Sequence, residues 1–560
     1  LDAVNLCEMT RNDRHTVRAL FLLGANDGVL PAAENRGGVL RDEDREALER
    51  QQIFLAPHGM EQFHLEIQNL YAALAQPTEK LTVSYPVSDG KGAEKRPSFV
   101  IGRIARLLPS ISVETESTDK EYRLSVKSTA LEYAGEHIGG ALWQYFEGQG
   151  DAERALAAMK DASRYTRGHL SRDAVHALYG GAVTLSASRM DMARSCHFAY
   201  FMRYGLKARE RTGAGFDAPQ IGTFVHDVME HTLRQAKECG GLHTLSKDKL
   251  HALVRASIEE YIDRVLPDLC EKSARFRYLF NRLCATVERI MDEVSEELQS
   301  SDFEPLAFEL EFGADGQLPA ITIREENGTA RVVGKVDRVD GWLHDGKLYL
   351  RVVDYKTGKK SFDLAELRYG LGLQMLLYLF TLKEEGQMLF GGHEIVPAGV
   401  LYTPAREPML RCARDTEPEK IEKALKKELR RSGMVLEDPA VLQAMEHSAL
   451  ESPCYLPIAV KRDGAVTGSL ASAEQLGKLS KYVDHILHEI TQEVFAGNID
   501  ADPYARTPQQ SACTYCEFAS ACHFENGCGS DRMEYIKATK NDEFWQYIDE
   551  VNGEGARENG

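Results

Sequence analysis

Residues 351–358 read RVVDYKTG, an apolar strand that closes on an aspartate and a lysine two positions apart. In an extended chain residues i and i+2 share a face, so Asp354 and Lys356 stand side by side. Alone, such a pair is an ordinary solvated strand end. The segment upstream gives it another meaning. Asp345-Gly346 separates the run ARVVGKVDRVDGWLH from KLYLRVVDYKTG, and Asp-Gly is the strongest two-residue hairpin signal. Strands paired symmetrically about that turn set Asp337 against Asp354 on one surface. On the other surface they set Asp340 against Arg351 as a cross-strand ion pair. Facing carboxylates with Cβ atoms roughly 4.5–5.5 Å apart repel and call for a bridging cation. The same register opposes Lys335 and Lys356, a like-charge pair that a bulge near Gly341-Trp342 would relieve. Two carboxylates beside a lysine are the groups needed for metal-dependent phosphodiester hydrolysis. Hard oxygen ligands suit Mg²⁺, which activates water and stabilises charge on the phosphate, and the lysine adds positive charge there.

The elements that must hold these residues follow from periodicity and turn signals. Residues 16–31 read as a buried strand entering a Gly-rich turn closed by Pro31, 41–76 as helical, and LTVSYPV (81–87) as a strand. Residues 98–180 are mainly helical. After Gly180-Gly181, Ser186 or Ser188 caps an aromatic-rich helix, RTGAGFDAP (211–219) is a loop, and IGTFVHDVMEHTLRQA (221–236) is a helix. Long amphipathic helices fill 245–300, strands fill 305–360, and a helix at 363–384 leads to a strand at 396–403. Helices are expected at 416–432 and 473–495, before a cysteine-dense stretch and a polar tail. The basic run KALKKELRR (423–431) reads first as a solvated helix face and second as the lining of a DNA channel. The whole is an α/β pattern.

Composition narrows the class. The chain has 560 residues, 43 % hydrophobic and 27 % charged, with a formal net charge of −19. That charge argues against coating nucleic acid through bulk positive field, though a local basic groove suffices for a nuclease. No apolar run approaches the roughly 18 residues of a membrane span, and no basic-then-apolar leader opens the chain, so a cytoplasmic protein without membrane contact is expected. The opening LDAVNLCEMT lacks an initiator Met, which leads to the expectation of a C-terminal portion of something longer. Eleven cysteines in such a chain suggest reduced thiols or metal ligands.

GKVDRVD followed by VVDYKTG resembles the core of the PD-(D/E)xK nuclease superfamily in its RecB-like branch. That branch has an upstream helical histidine, matched by His226 in IGTFVHDVME, and a Q-x-x-x-Y helix, matched by Gln374 and Tyr378 in GLQMLLYLF. The resemblance implies that His226, Asp337 and Asp354 bind Mg²⁺ together with the backbone carbonyl of Tyr355. It implies that Lys356 is the catalytic lysine and that Gln374 and Tyr378 act together on the site or DNA. A further carboxylate comes from Glu309 or Glu311, and the sequence does not choose between them.

CTYCEFASAC (513–522) has the spacing C-x2-C-x5-C. By itself it reads as a zinc knuckle completed by His523 or Cys528. Iron–sulfur nucleases of the AddB and Cas4 type place one cysteine before the core and three after it. Resemblance to them implies that Cys196, Cys513, Cys516 and Cys522 hold a [4Fe–4S] cluster that staples the two ends of the domain. Their usual Cys-Pro-Phe is Cys196-His197-Phe198 here. Cys7, Cys239, Cys270, Cys284, Cys412 and Cys454 read as core or surface thiols.

The first 180 residues resemble superfamily 1 helicases: LFLLGANDGVLP is similar to the segment after motif V, and LEIQNLYAALAQPTEKLTVSY to the region of motif VI. Ala75-Gln76-Pro77 stands where an active helicase has Thr-Arg-Ala, and no Walker A stretch is present, so this segment is not expected to hydrolyse ATP. An inactivated helicase domain (1–180), a RecB-like nuclease domain (181–535) and a tail (536–560) make the pattern of the AddB family, one half of the AddAB helicase–nucleases. That family resemblance implies an AddA-like helicase–nuclease partner, a DNA substrate, and Mg²⁺-dependent exonuclease action in double-strand break resection.

Overall fold

The computed structural model describes residues 4–9, 16–32, 40–57, 59–89, 94–114, 123–164, 166–209, 218–267, 273–313, 316–413, 416–507 and 510–558. The loop expected at 211–219 falls almost wholly outside them, as does Cys270. The chain divides into two compact units, residues 1–160 and 161–560.

In the first unit a parallel pair joins β1 (Val17–Leu22) to β2 (Pro77–Val83). The second strand begins and ends earlier than the run 81–87 suggests. Helices Asp42–Arg50 and Gly59–Leu74 lie between the two strands in sequence. Ala25, Leu30, Leu70 and Val100 form one small core, and Trp143, Phe146 and Leu156 belong to another.

The second unit is built on a six-stranded sheet. Its strands are β3 (Glu304–Phe312), β4 (Gly334–His344), β5 (Lys347–Lys356), β6 (Glu394–Pro404), β7 (Ser432–Leu436) and β8 (Leu470–Ala471). They lie side by side in sequence order. The pairs β3/β4, β4/β5 and β6/β7 are antiparallel, and β5/β6 and β7/β8 are parallel. The expected hairpin is present in the expected register, with Asp340 opposite Arg351 and His344 opposite Lys347. Asp345 and Gly346 have φ of 49° and 75°, the left-handed pair that a type I′ turn requires.

A parallel connection needs a crossover, and here it carries a helix. The single helix expected at 363–384 is two: Leu364–Arg368 and α1 (Gln374–Glu385). Gly370 and Gly372, with φ of 75° and 68°, break it. Residues Met375 to Leu382 are all buried, as suits a helix apolar on every side that sits inside the domain. The closing segment is not a polar tail. Asn541–Glu558 is helical and buries Phe544, Trp545 and Ile548 in the main core.

The back of the hairpin holds a charge network rather than an ordinary surface pair. Arg338, Asp340 and Arg351 are 0 % exposed. Asp340 Oδ2 accepts from Arg338 Nη2 at 2.9 Å and from Arg351 Nε at 2.8 Å, and Asp340 Oδ1 lies 2.8 Å from Arg338 Nε as an ion pair. Glu297, on helix Ala274–Gln299, meets Arg351 at 3.4 Å and Arg431 at 2.6 Å. Arg431 is the end of the basic run KALKKELRR. The helix Pro418–Glu428, which overlaps that run, has no buried residue, and the burial begins after it, at Leu429 and Arg431.

Burial opposes ionisation of Glu297, but Arg431, Arg351 and Arg338 hold its pKa down to about 2. A depressed carboxyl pKa contributes stability that is complete above the unfolded value of 4.5 and is lost as pH falls toward 2. Glu297→Ala strands buried guanidinium groups and should lower unfolding free energy by about 3–5 kcal/mol. A urea midpoint within error of wild type would contradict this assignment.

Candidate metal centre and active site

The front of the same hairpin gathers the residues with chemical potential. His226 comes from helix Ala218–Glu238, Glu309 from β3, Asp337 from β4, and Asp354 with Lys356 from β5. One ligand atom each from His226, Glu309 and Asp337 lies within 4.8 Å of the others, the one such metal-competent group among the described residues. His226 Nδ1 is 3.3 Å from Asp337 Oδ2 and 3.9 Å from Glu309 Oε1. Asp337 Oδ2 also accepts from the Tyr355 amide at 2.8 Å, and the Tyr355 carbonyl accepts from His226 Nε2 at 2.9 Å.

Between the two open glutamate candidates, the geometry favours Glu309. It has φ of 49° in mid-strand, a left-handed conformation that costs about 1–3 kcal/mol and persists only where its surroundings compel it. No sequence signal announces that twist, which is why alternation alone leaves both candidates open. Glu311 lies outside the metal-competent group and is 3.5 Å from Lys335 Nζ.

Asp354 stands apart from the three. Continuing the hairpin register one step past Arg338–Val353 places it across from Asp337. Its Oδ2 is 2.6 Å from Lys356 Nζ, and its Oδ1 accepts from Gln374 Nε2 at 3.4 Å. Gln374 also donates to Tyr378 Oη at 3.2 Å, so the i, i+4 pair on α1 does reach the site together. Gly334 makes room for this approach: a Cβ there would lie 2.5 Å from the Tyr378 and Phe312 rings.

The expected Lys335–Lys356 opposition does not form. The β4/β5 ladder ends at Arg338–Val353 without a bulge at Gly341-Trp342. Lys335 instead bonds Glu309 at 2.6 Å, so each lysine faces its own carboxylate.

Electrostatics reflect the crowding. Burial raises the pKa of Asp354 to about 6, and the neighbouring Asp337 charge adds to the rise against the pull of Lys356. Burial disfavours charging His226, yet hydrogen bonds to Asp337 and Glu309 prevail and raise its pKa to about 10. Glu309 is held low because His226 and Lys335 outweigh its burial. The site therefore carries an imidazolium between two carboxylates. Two carboxylates and an imidazole fit a hard divalent cation, with the Tyr355 carbonyl as a further oxygen donor.

The four cysteines that the resemblance implies as cluster ligands are all free thiols. Cys196 is buried between helices Ala187–Ser195 and His197–Tyr200, while Cys513, Cys516 and Cys522 are half-buried. Burial pushes Cys196 to about 12 and Cys513 to about 11. The structure brings the two segments together through neighbours that the sequence does not reveal. Arg167 stacks 4.5 Å from the Phe198 ring, donates to the Cys522 carbonyl at 2.8 Å, and pairs with Asp531 at 2.7 Å. Arg203 pairs with Glu517 at 2.7 Å. His197, in the place of the usual proline, bonds Asp502 through its amide at 3.0 Å and its ring at 2.6 Å. Apart from Arg167 and Phe198, these partners lie hundreds of residues apart, beyond any local pattern.

A PD-(D/E)XK nuclease superfamily profile matches residues 184–523. The chain belongs to the PD-(D/E)XK nuclease superfamily. It is also 30 % identical over 576 residues to the B subunit of an ATP-dependent helicase/deoxyribonuclease from Ruminiclostridium cellulolyticum, covering 99 % of this chain and 50 % of that one. The protein of the same name from Acetivibrio thermocellus is 32 % identical over 573 residues, covering 98 % and 50 %. The chain thus spans about half the length of the curated relatives it matches. The matched nuclease region contains the metal-competent group, the Asp354–Lys356 pair and all four cysteines of the candidate cluster. Among the described residues, no helix is long and apolar enough to cross a membrane.

The glutamate assignment is testable by titration calorimetry with Mn²⁺. Glu309→Gln should weaken binding at least ten-fold, whereas Glu311→Gln should leave it within about two-fold. Equal effects of the two substitutions would contradict the assignment.

Proposed function

We propose that this chain is the nuclease-bearing part of an ATP-dependent helicase–nuclease subunit and cuts single-stranded DNA with Mg²⁺. The convergence of His226, Glu309 and Asp337 beside the Asp354–Lys356 pair carries the reading. His226, Asp337, Asp354 and the Tyr355 carbonyl hold the cation, with Glu309 as the further carboxylate. A divalent cation so held supplies Lewis acidity for water activation and for stabilising charge on the phosphate. Lys356, 2.6 Å from Asp354, places its ammonium where a phosphate oxygen or attacking water would meet it. Gln374 holds Asp354 and Tyr378 in mutual register. A cleft of about 540 Å³, lined by Ser186, Ser188, Lys335, Gln374 and Tyr378, gives an unpaired strand room beside these groups.

The relatives' name joins a helicase to a deoxyribonuclease, and residues 1–180 retain helicase-like segments without ATPase motifs. An AddA-like motor protein then feeds DNA to this site in the cytoplasm, and the pair resects double-strand breaks for recombination. Cys196, Cys513, Cys516 and Cys522 hold a [4Fe–4S] cluster as a staple, because hydrolysis of a phosphodiester needs no electron. The Arg167 and Arg203 contacts between their segments support that assignment.

Degradation of end-labelled single-stranded DNA should require Mg²⁺ and vanish in Asp354→Ala and Lys356→Ala. If both variants cut at the wild-type rate, alone and with the motor protein, the active-site assignment is wrong. Protein purified without oxygen should be brown, with broad absorbance near 400 nm that Cys522→Ser removes. Colourless protein carrying one zinc would reject the cluster.

A further inference from the structure

Tyr355 is bonded to both sides of the hairpin. Its hydroxyl accepts from Arg338 Nη1 at 2.8 Å, on the back of the sheet, and both residues are buried. Arg338 has little freedom there. Asp340 grips its guanidinium at two points, Glu297 lies 3.8 Å away, and Asp340 is itself held by Arg351. On the front, the backbone of the same tyrosine donates to Asp337 Oδ2 and accepts from His226 Nε2. The orientation of two candidate ligands is therefore tied through one residue's backbone to a side chain anchored behind them.

We propose that Tyr355 is a positioning residue whose hydroxyl, clamped by the buried arginine network, aims Asp337 and His226 and so sets divalent-cation affinity from behind the sheet. This rests on the reading that those two residues hold a cation. It differs from a ligand role for the Tyr355 carbonyl, which any residue at this position would offer. Phenylalanine would fill the same space without the oxygen that Arg338 grips.

Tyr355→Phe removes the hydroxyl and keeps the ring. In the full chain, Mn²⁺ affinity by calorimetry should fall about ten-fold, the scale expected when a group orienting a ligand is lost. In metal-free protein, amide exchange in residues 352–357 should accelerate, with exchange in the helix Ala473–Phe495 unchanged. Arg338→Lys, which keeps the charge but not the fork, should shift both readings in the same direction. If Tyr355→Phe leaves Mn²⁺ affinity and local exchange at wild-type values, the proposal is overturned, whatever happens to thermal stability. Should wild type bind Mn²⁺ no better than Asp337→Ala, the cation reading fails. The exchange at 352–357 then still decides whether the hydroxyl positions the strand.

Discussion

Like charges crowd the front of one hairpin, and much of the nuclease domain serves to hold them there. Asp337 and Asp354 arrive on adjacent strands, Glu309 is twisted toward them by a left-handed backbone, and burial keeps water from screening their repulsion. His226, Lys335 and Lys356 answer much of that charge. The rest of the answer is geometric. Ladder bonds on both sides of β4 and β5, and α1 with Met375 to Leu382 buried, leave the carboxylates no path apart. Strain of this kind persists where the surroundings over-determine a site and where a ligand relieves it.

The two faces of the hairpin use charge in opposite ways. Behind, Asp340 and Glu297 are paired with three guanidinium groups, so those buried ions are structural. In front, Glu309, Asp337 and Asp354 meet Lys335, His226 and Lys356, and a divalent ion would take the place of the His226 charge. Strand alternation is what keeps the two systems separate, because Asp337 and Asp340 are an odd number of residues apart. The His226 imidazolium, with its pKa raised to about 10, stands in for that ion in the cation-free protein.

Legibility in the sequence follows the range of the interaction. The hairpin, its register and the Asp340–Arg351 pair are readable because a two-residue turn and strand alternation are local rules. The approach of Gln374 and Tyr378 to Asp354 is readable only through resemblance, since the crossover that brings α1 back is a property of the whole sheet. Glu309 stays undecided there because a single left-handed residue escapes periodicity. Arg431, Arg167 and Asp502 escape a sequence reading because their partners are far away along the chain. The closing helix reads as polar since its three buried residues are sparse among acidic ones.

The central claim is that these side chains form a divalent-cation site, and diffraction from crystals soaked in Mn²⁺ tests it most directly. Anomalous scattering should place manganese at roughly 2.0–2.3 Å from His226, Asp337 and Asp354, close to the distances typical of hard-cation ligands. Glu309 should lie at the same centre, and the Tyr355 carbonyl should complete it. A peak elsewhere, or none in this group at saturating Mn²⁺, would contradict the account.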